Sequence, residues 1–337
     1  MTVPATAAAA VVLASAMDAA IAEPPARIHP VALFGRLIAV VDRGGNGSES
    51  DGWSHPGLVG AAAALVLPAL AAGVAAAAVA GGAVAHPWVG AAVAGLVLFA
   101  TTSLRRLLDR AREVIAASDA DLDAARHDLR ALAGRDAASL DAAQIRSAAV
   151  ESLAENLADG LVAPLAAFAG AVVVAGAVAG ADAGLALAAG AAAWVKAVNT
   201  LDSMVGYRSK PVGWAPARLD DAVMWLPARF SALLLGVVVG SPTLALRRQV
   251  RGLARRPASP NSGWPMATMA AALPARLRKP GAYDLDPGAT GDVDGRAAGR
   301  IGGAATLPDV AAATRAVGLT RRAGLLAAAA AGVVTWF

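Results

Sequence analysis

Cysteine is absent from all 337 residues, which excludes disulfides, zinc–thiolate centres and a cysteine nucleophile. Charge is also scarce: 16% of the residues are Asp, Glu, Lys or Arg, against about a quarter in a soluble domain. With 57% hydrophobic residues and a mean hydropathy of +0.56, that deficit points to an integral membrane protein, as do several near-uncharged runs of 17 or more residues. There is no Walker A loop, no G-x-G-x-x-G after a strand and no zinc-type histidine spacing, so any nucleotide is bound outside a P-loop. Lysine is rare enough that arginine dominates the pI of about 10.1, yet 29 Lys+Arg against 25 Asp+Glu leaves a net charge of only +4. No basic cluster resembles a nucleic-acid footprint.

The stretch "MTVPATAAAAVVLASAMDAAIAEPP" has no Lys or Arg before Arg27, so it lacks the positive start of a cleaved signal peptide and is expected to be a retained helix. Its Asp18 is costly in lipid unless that face turns toward protein. Candidate spans fall at about 5–22, 57–80, 86–101, 161–180, 183–199, 222–240 and 323–337. Their many Ala and Gly residues suit close helix packing. The expected fold is all-α: a polytopic membrane domain over residues 1–337, with a cytosolic helical insertion at 102–150 and a cytosolic loop region at 241–322.

Residues 102–150 hold eight Arg and eight acidic residues in Ala/Leu-rich helical patterns, which predicts a solvated helical pair. Residues 241–322 carry most of the remaining Arg, a "SPNSGWP" turn and a Gly/Asp-rich stretch, "GAYDLDPGATGDVDGRAAGRIGGAAT", expected to be a loop. Its Asp286, Asp292 and Asp294 lack the ligand spacing of a calcium site. The positive-inside rule places both Arg-rich regions in the cytoplasm, which requires an even number of crossings between them. Three candidates lie there, so one is re-entrant, interfacial or broken. "DDAVMWLPARFSALLLGVVVG" is the choice, because Asp220, Asp221, Pro227 and Arg229 interrupt it.

"ESLAENLADG" places Glu151, Glu155 and Asp159 at four-residue intervals, which on a helix drift by only about 40° per step and so share a face. Ser152 and Asn156 lie on the adjoining stripe, and Gly160 and Pro164 mark a break. Convergent carboxylates and an amide suit Mg²⁺ with retained waters; the alternative is a solvated helix end paired with Arg146. In "VNTLDSMVGYRSKPVGWAPARLDD", Asn199, Asp202 and Ser203 fall at i, i+3 and i+4 as a polar fork. Arg208, Lys210 and Arg218 could grip phosphate oxygens. A lipid-anchoring basic loop does not account for the interleaved Asp and Asn residues. In "SPNSGWP", Pro260 and Pro265 bracket Asn261 and Gly263, with Trp264 a flat amphipathic surface. "HPVALFGR" sets His29 before a proline, a position more often structural than catalytic.

In order, "HPVALFGR", "AAVESLAENLADGLVAPL", "AVNTLDSMVGYR", "GWAPARLDDAVMWLPARFSALLL" and "SPNSGWPMATMAAAL" resemble the adenosylcobinamide-phosphate synthases of cobalamin biosynthesis, over about residues 10–285. The resemblance implies a multi-span enzyme of the bacterial cytoplasmic membrane with its active face in the cytosol. Such an enzyme joins the free propionate carboxyl of the corrinoid adenosylcobyric acid to (R)-1-amino-2-propanol or its O-phosphate, with ATP and Mg²⁺. The chain departs from the family pattern at "AEPP" (22–25), at Leu157, at Lys196 following Trp194, and in the loop after Tyr283.

A compatible assignment gives Glu151, Glu155, Asn156 and Asp159 to Mg²⁺ and amine orientation, with Asn199 beside Asp202 at the catalytic centre. Asp202, Asp220 and Asp221 take a second metal or base role, so the metal set is Glu155, Asp159 and Asp202. Arg208, Arg218 and Arg229 stabilise phosphate charge. Trp214, Trp225 and Trp264 pack the corrin face, and His29, Tyr207 and Asn261 complete the substrate-binding set. Expected partners are the corrinoid, the amine, the lipid bilayer and either a second copy or other B12-pathway enzymes, with no nucleic acid. The alternatives are a transporter, with the intramembrane polar residues lining a path, or a scaffold docking pathway enzymes through residues 102–150.

Overall fold

The computed structural model describes residues 3–25, 27–42, 53–133, 137–178, 181–207, 210–273, 275–288 and 305–337. These form α1 (Val3–Ile21), α2 (Pro30–Val41), α3 (Pro56–Ala85), α4 (Pro87–Thr101), α5 (Arg105–Ala120), α6 (Leu122–Ala133), α7 (Ala142–Leu157), α8 (Ala163–Val178), α9 (Ala181–Val205), α10 (Trp214–Val223), α11 (Trp225–Val238), α12 (Arg248–Leu253), α13 (Gly263–Ala272) and α14 (Val310–Trp336). A hairpin of β1 (Leu277–Lys279) and β2 (Tyr283–Leu285), paired antiparallel with Leu277 opposite Leu285, is the sole strand pair among the described residues.

Among the described residues, five helices are long and apolar enough to cross a membrane, or six if the bent pair α10/α11 counts as one span. This is the helical, polytopic architecture that the hydropathy predicts. Of the seven expected spans, the first corresponds to the shorter apolar stretch Ala5–Ile21 of α1. The expected last span at 323–337 is the apolar C-terminal part of α14, whose helix begins at Val310 and carries the exposed Arg315, Arg321 and Arg322 ahead of it. The 222–240 segment is interrupted at Met224, where α10 ends and α11 begins. Asp18 is 9% exposed, so α1 turns it toward protein as its cost in lipid requires.

The chain divides into two compact units. The first comprises Met1–Ser103, Asp159–Met224 and Ala327–Phe337. In it α9 packs against α3, α8 and α4, and α1 lies on α4. Outward-facing Leu58, Leu65, Val66, Leu70, Val74 and Val84 leave one side of α3 apolar and exposed, as a lipid-facing helix must be.

The second unit, Leu104–Ala158 with Trp225–Leu326, gathers the two polar regions of the sequence into one body. Within residues 102–150, α5 and α6 form the expected helical pair, with the side chains of Arg112, Glu113 and Asp123 exposed, and α7 packs against both with Ile145, Ala148, Ala149 and Val150 fully buried. Within residues 241–322, α12, α13, the hairpin and the start of α14 interrupt the expected loop region. Alanine-rich sequence hid the burial of α7, because Ala contributes helix propensity and close packing with little hydropathic contrast. Of the Gly/Asp-rich stretch, Tyr283–Leu285 is strand, and Asp286 accepts from the N–H of Gly288 at 2.8 Å and of Ala305 at 3.2 Å. Asp292 and Asp294 lie outside the described residues.

Candidate functional site

The expected break at Gly160 and Pro164 is a change of winding: the chain stays helical from Ala142 to Val178, with a π-helical turn over Ala158–Val162. Proline has no N–H, so Pro164 cannot bond the carbonyl of Gly160 four residues back. The backbone N–H of Ser103 bonds that carbonyl instead, at 2.9 Å. Single π turns inside α-helices recur at functional positions. The winding also alters the regular four-residue spacing at Asp159.

Glu151 is only 2% exposed, whereas Glu155, Asn156 and Asp159 are half-buried. Both oxygens of Glu151 accept protein hydrogen bonds, from Ser147 Oγ at 2.9 Å and Tyr283 Oη at 2.7 Å. Ser147 Oγ in turn accepts the N–H of Arg278 at 2.8 Å, so the carboxylate ties α7 to the hairpin. Asn156 Nδ2 donates to the carbonyl and to Oγ of Ser152, each at 3.0 Å. Arg146, the alternative partner of these carboxylates, pairs with Asp119 at 2.6 Å and donates to the carbonyl of Pro308 at 2.9 Å.

The second unit also holds Trp225, Arg229, Asn261 and Trp264 as one cluster. The Arg229 guanidinium lies 4.5 Å from the Trp225 ring centroid and 4.9 Å from that of Trp264. Its Nη1 donates to Asn261 Oδ1 at 2.7 Å and to the carbonyl of Trp225 at 2.9 Å. Arg229 is therefore a bonded strut between two indoles, and Trp225 stays 53% exposed. "SPNSGWP" is a turn only to Ser262. Gly263 and Trp264 already open α13, and a Cβ on Gly263 would collide with the carbonyl of Ala254.

The first unit holds His29, Asp159, Asn199, Asp202, Tyr207, Arg218, Asp220 and Asp221; Arg208 lies outside the described residues. Asp202 occupies the last turn of α9 with Asp221 as its charged neighbour. Gly206 makes room for it: the glycine N–H bonds the Asp202 carbonyl at 2.7 Å, and a Cβ there would collide with the Asp202 carboxylate. Ser203 Oγ donates to the Asn199 carbonyl at 2.8 Å. Lys210 is no phosphate grip, because its Nζ bonds both oxygens of Asp42 at 2.7 and 2.9 Å, and it lies 5.3 Å from the Tyr207 ring centroid. Arg218 is exposed and makes no ion pair among the described residues.

His29 is the N-cap of α2, its Nδ1 accepting the N–H of Val31 at 3.2 Å. Burial holds its pKa below the usual histidine value; Lys196 lowers it further and Glu23 opposes. Lys196, Glu23 and Ser103 escaped selection as site residues. An ionisable Lys196 within an otherwise apolar span was itself the available signal.

Among the described residues, no three His, Asp or Glu side chains converge to hold a metal ion. Of the expected metal set, Glu155 belongs to the second unit, and Asp159 and Asp202 to the first. Mg²⁺ nevertheless keeps several waters and commonly takes one or two carboxylates beside substrate phosphates.

Residues 11–307 match the family described as CobD/Cbib protein. The chain is 35% identical over 282 residues to the "Probable cobalamin biosynthesis protein CobD" of Methanothrix thermoacetophila, covering 81% of this chain and 84% of that one. It is 36% identical over 275 residues to the "Cobalamin biosynthesis protein CobD" of Photorhabdus laumondii, covering 79% and 81%. Against the "Cobalamin biosynthesis protein CbiB" of Salmonella choleraesuis it is 37% identical over 278 residues, covering 80% and 82%. No solved structure matches the chain.

Proposed function

Because the chain belongs to the CobD/CbiB family of cobalamin biosynthesis proteins, we propose that it is a membrane adenosylcobinamide-phosphate synthase. In this reading it condenses adenosylcobyric acid with (R)-1-amino-2-propanol or its O-phosphate, using ATP, at the cytosolic face of a bacterial inner membrane. The observation that supports a reaction, as opposed to passive docking, is Asp202 in the last turn of α9, where Gly206 leaves room for its carboxylate.

A carboxylate is a poor acyl donor, so its oxygen first takes the terminal phosphoryl group of ATP and ADP leaves. The amine, having given up one ammonium proton to free its lone pair, then attacks the acyl carbon; the C–N bond forms, the C–O bond to phosphate breaks, phosphate departs, and the nitrogen loses a second proton to leave the amide. Asp202 and Asp221 would hold Mg²⁺, which when bound supplies charge neutralisation for the phosphates. The chain's own residues orient the reactants. Arg218, exposed and without a described carboxylate partner, attracts phosphate charge.

The test is mass spectrometry of the product after single turnover by purified protein in lipid nanodiscs, with adenosylcobyric acid, ATP, Mg²⁺ and either amine. The amide is expected from the native chain and is lost with Asp202→Asn. Uptake of substrate into liposomes without amide formation would instead identify a transporter.

A further inference from the structure

Between Asp221 and Asp284 the chain carries no acidic residue but eight Arg and one Lys, and all nine cations belong to the second unit. Arg229 bonds Asn261, Arg276 pairs with Asp284, and Arg256 donates to the carbonyl of Asp284. Arg247, Arg248, Arg251 and Arg255 are exposed, and none of them makes an ion pair among the described residues. The packing of α12 sets them there: Val250, Leu253 and Ala254 are each 1% exposed, which turns Arg248, Arg251 and Arg255 outward. Arg251 falls four residues after Arg247 and four before Arg255, a spacing at which like charges on a helical face repel. On the preceding helix, α11, Ala228, Ser231, Ala232 and Leu235 are buried. Leu226, Phe230, Leu233 and Val237 line its other side at helical spacing, each at least 41% exposed. The connection is held: Gly240 takes φ +74°, the N–H of Ser241 bonds the Gly236 carbonyl at 2.8 Å, and the turn Leu244–Leu246 packs on both α11 and α12. An exposed apolar helix face therefore runs directly into a fixed row of arginines.

We propose that this surface of the second unit is a docking site for anionic phospholipids. The apolar side of α11 meets acyl chains, and Arg247, Arg248, Arg251 and Arg255 take the headgroup phosphates. The 14 residues of α11 cover about 21 Å, short of the roughly 30 Å of a hydrocarbon core. Its apolar face alone thus reaches only part of the way through a bilayer, and the arginines that follow can extend to the headgroups while their stems stay against apolar surface. A guanidinium grips phosphate oxygens in bidentate fashion and is more weakly hydrated than an ammonium. Anionic leaflets attract basic segments of this kind, and with no carboxylate in this stretch of sequence the lipid phosphates supply the missing counter-charge. A nucleic acid or a free nucleotide matches the arginines but leaves the apolar side of α11 uncovered. The surface is independent of the amide-forming reaction.

The experiment is native mass spectrometry of the full chain, delipidated in detergent and titrated with phosphatidylglycerol or with phosphatidylcholine. Saturable binding of phosphatidylglycerol is expected, tighter than that of phosphatidylcholine and weakened by salt. The triple variant Arg248→Gln/Arg251→Gln/Arg255→Gln should lower phosphatidylglycerol affinity by about fivefold per arginine and leave phosphatidylcholine affinity unchanged. Arg251→Gln alone should show the loss for one arginine, which keeps the test decisive if the triple variant misfolds. The control Arg110→Gln/Arg112→Gln, whose arginines already pair with Glu113 and Asp109, should alter neither affinity. Phe230→Ser should weaken both lipids alike. Equal affinity of the native chain for the two lipids, or unchanged phosphatidylglycerol affinity in the arginine variants, would overturn the site. Arginine variants that keep lipid affinity but raise KM for ATP, or that lose binding of a DNA oligomer, would overturn it in favour of a free phosphate or a nucleic acid.

Discussion

Tyr283, on the second strand of the hairpin, donates its hydroxyl at 2.7 Å to Glu151, which sits 132 residues earlier on α7 and is 2% exposed. A buried carboxylate is tolerable only when its lone pairs are occupied. Tyr283→Phe should therefore destabilise the protein by about 1–3 kcal/mol, the cost of removing one partner from a buried acceptor. The loss is to be read from denaturation in detergent, and the amide-forming rate per folded molecule should fall far less than with Asp202→Asn.

The guanidinium of Arg229 stacks between two indoles while bonding Asn261. Arg229→Lys keeps the charge but loses the planar stack and the fork. A loss of about 1–2 kcal/mol and a red shift in tryptophan emission are expected as Trp264 becomes wetter. Unaltered emission would show that the stack does not order the tryptophans.

Gly206→Ala places a methyl against the Asp202 carboxylate. The methyl also falls 2.7 Å from the Asp202 backbone carbonyl, so the last turn of α9 must shift at some cost in stability, and nucleotide KM should rise several-fold. Equal losses of stability and activity would assign Gly206 to packing alone.

His29 links the start of α2 to pH. Its pKa is lowered mainly by burial, and neutral Nδ1 accepts the Val31 N–H. A group with a depressed folded pKa contributes stability that is complete above its unfolded value, about 6.5, and is lost as pH falls through the lower folded value. Melting temperature should decline as pH drops below about 6.5, and His29→Asn, a cap with no proton to gain, should flatten that decline.

Much of the architecture was legible in the sequence. The long apolar runs were located, and the break at Met224 follows from the parity of crossings together with the charges around it. The interrupted "ESLAENLADG" helix was placed as well, although its π turn was not, since π winding depends on Ser103 meeting the Gly160 carbonyl. What the sequence concealed depends on distant partners. Lys210 reads as a phosphate ligand until Asp42, 168 residues away, closes on it, and Glu151 reads like Glu155 until Tyr283 covers it. Ala22, at φ +70°, looks like any other alanine in an Ala-rich chain, because a positive φ leaves no compositional trace.

Ser103 also bears on how the chain is assembled. Its hydroxyl donates to Glu23 Oε1 at 2.9 Å. That partner leaves the ribosome before it, and the Gly160 carbonyl leaves more than 50 residues after it. The contact between the first helical segment and residue 103 can therefore form during synthesis, while the serine N–H waits for a helix not yet made. When the segment carrying Pro164 arrives, the carbonyl that proline leaves unbonded finds its donor already positioned. A proline within a hydrophobic helix thus acts as a recognition signal for the order in which spans join, and moving it by one turn should produce chains that insert but do not mature.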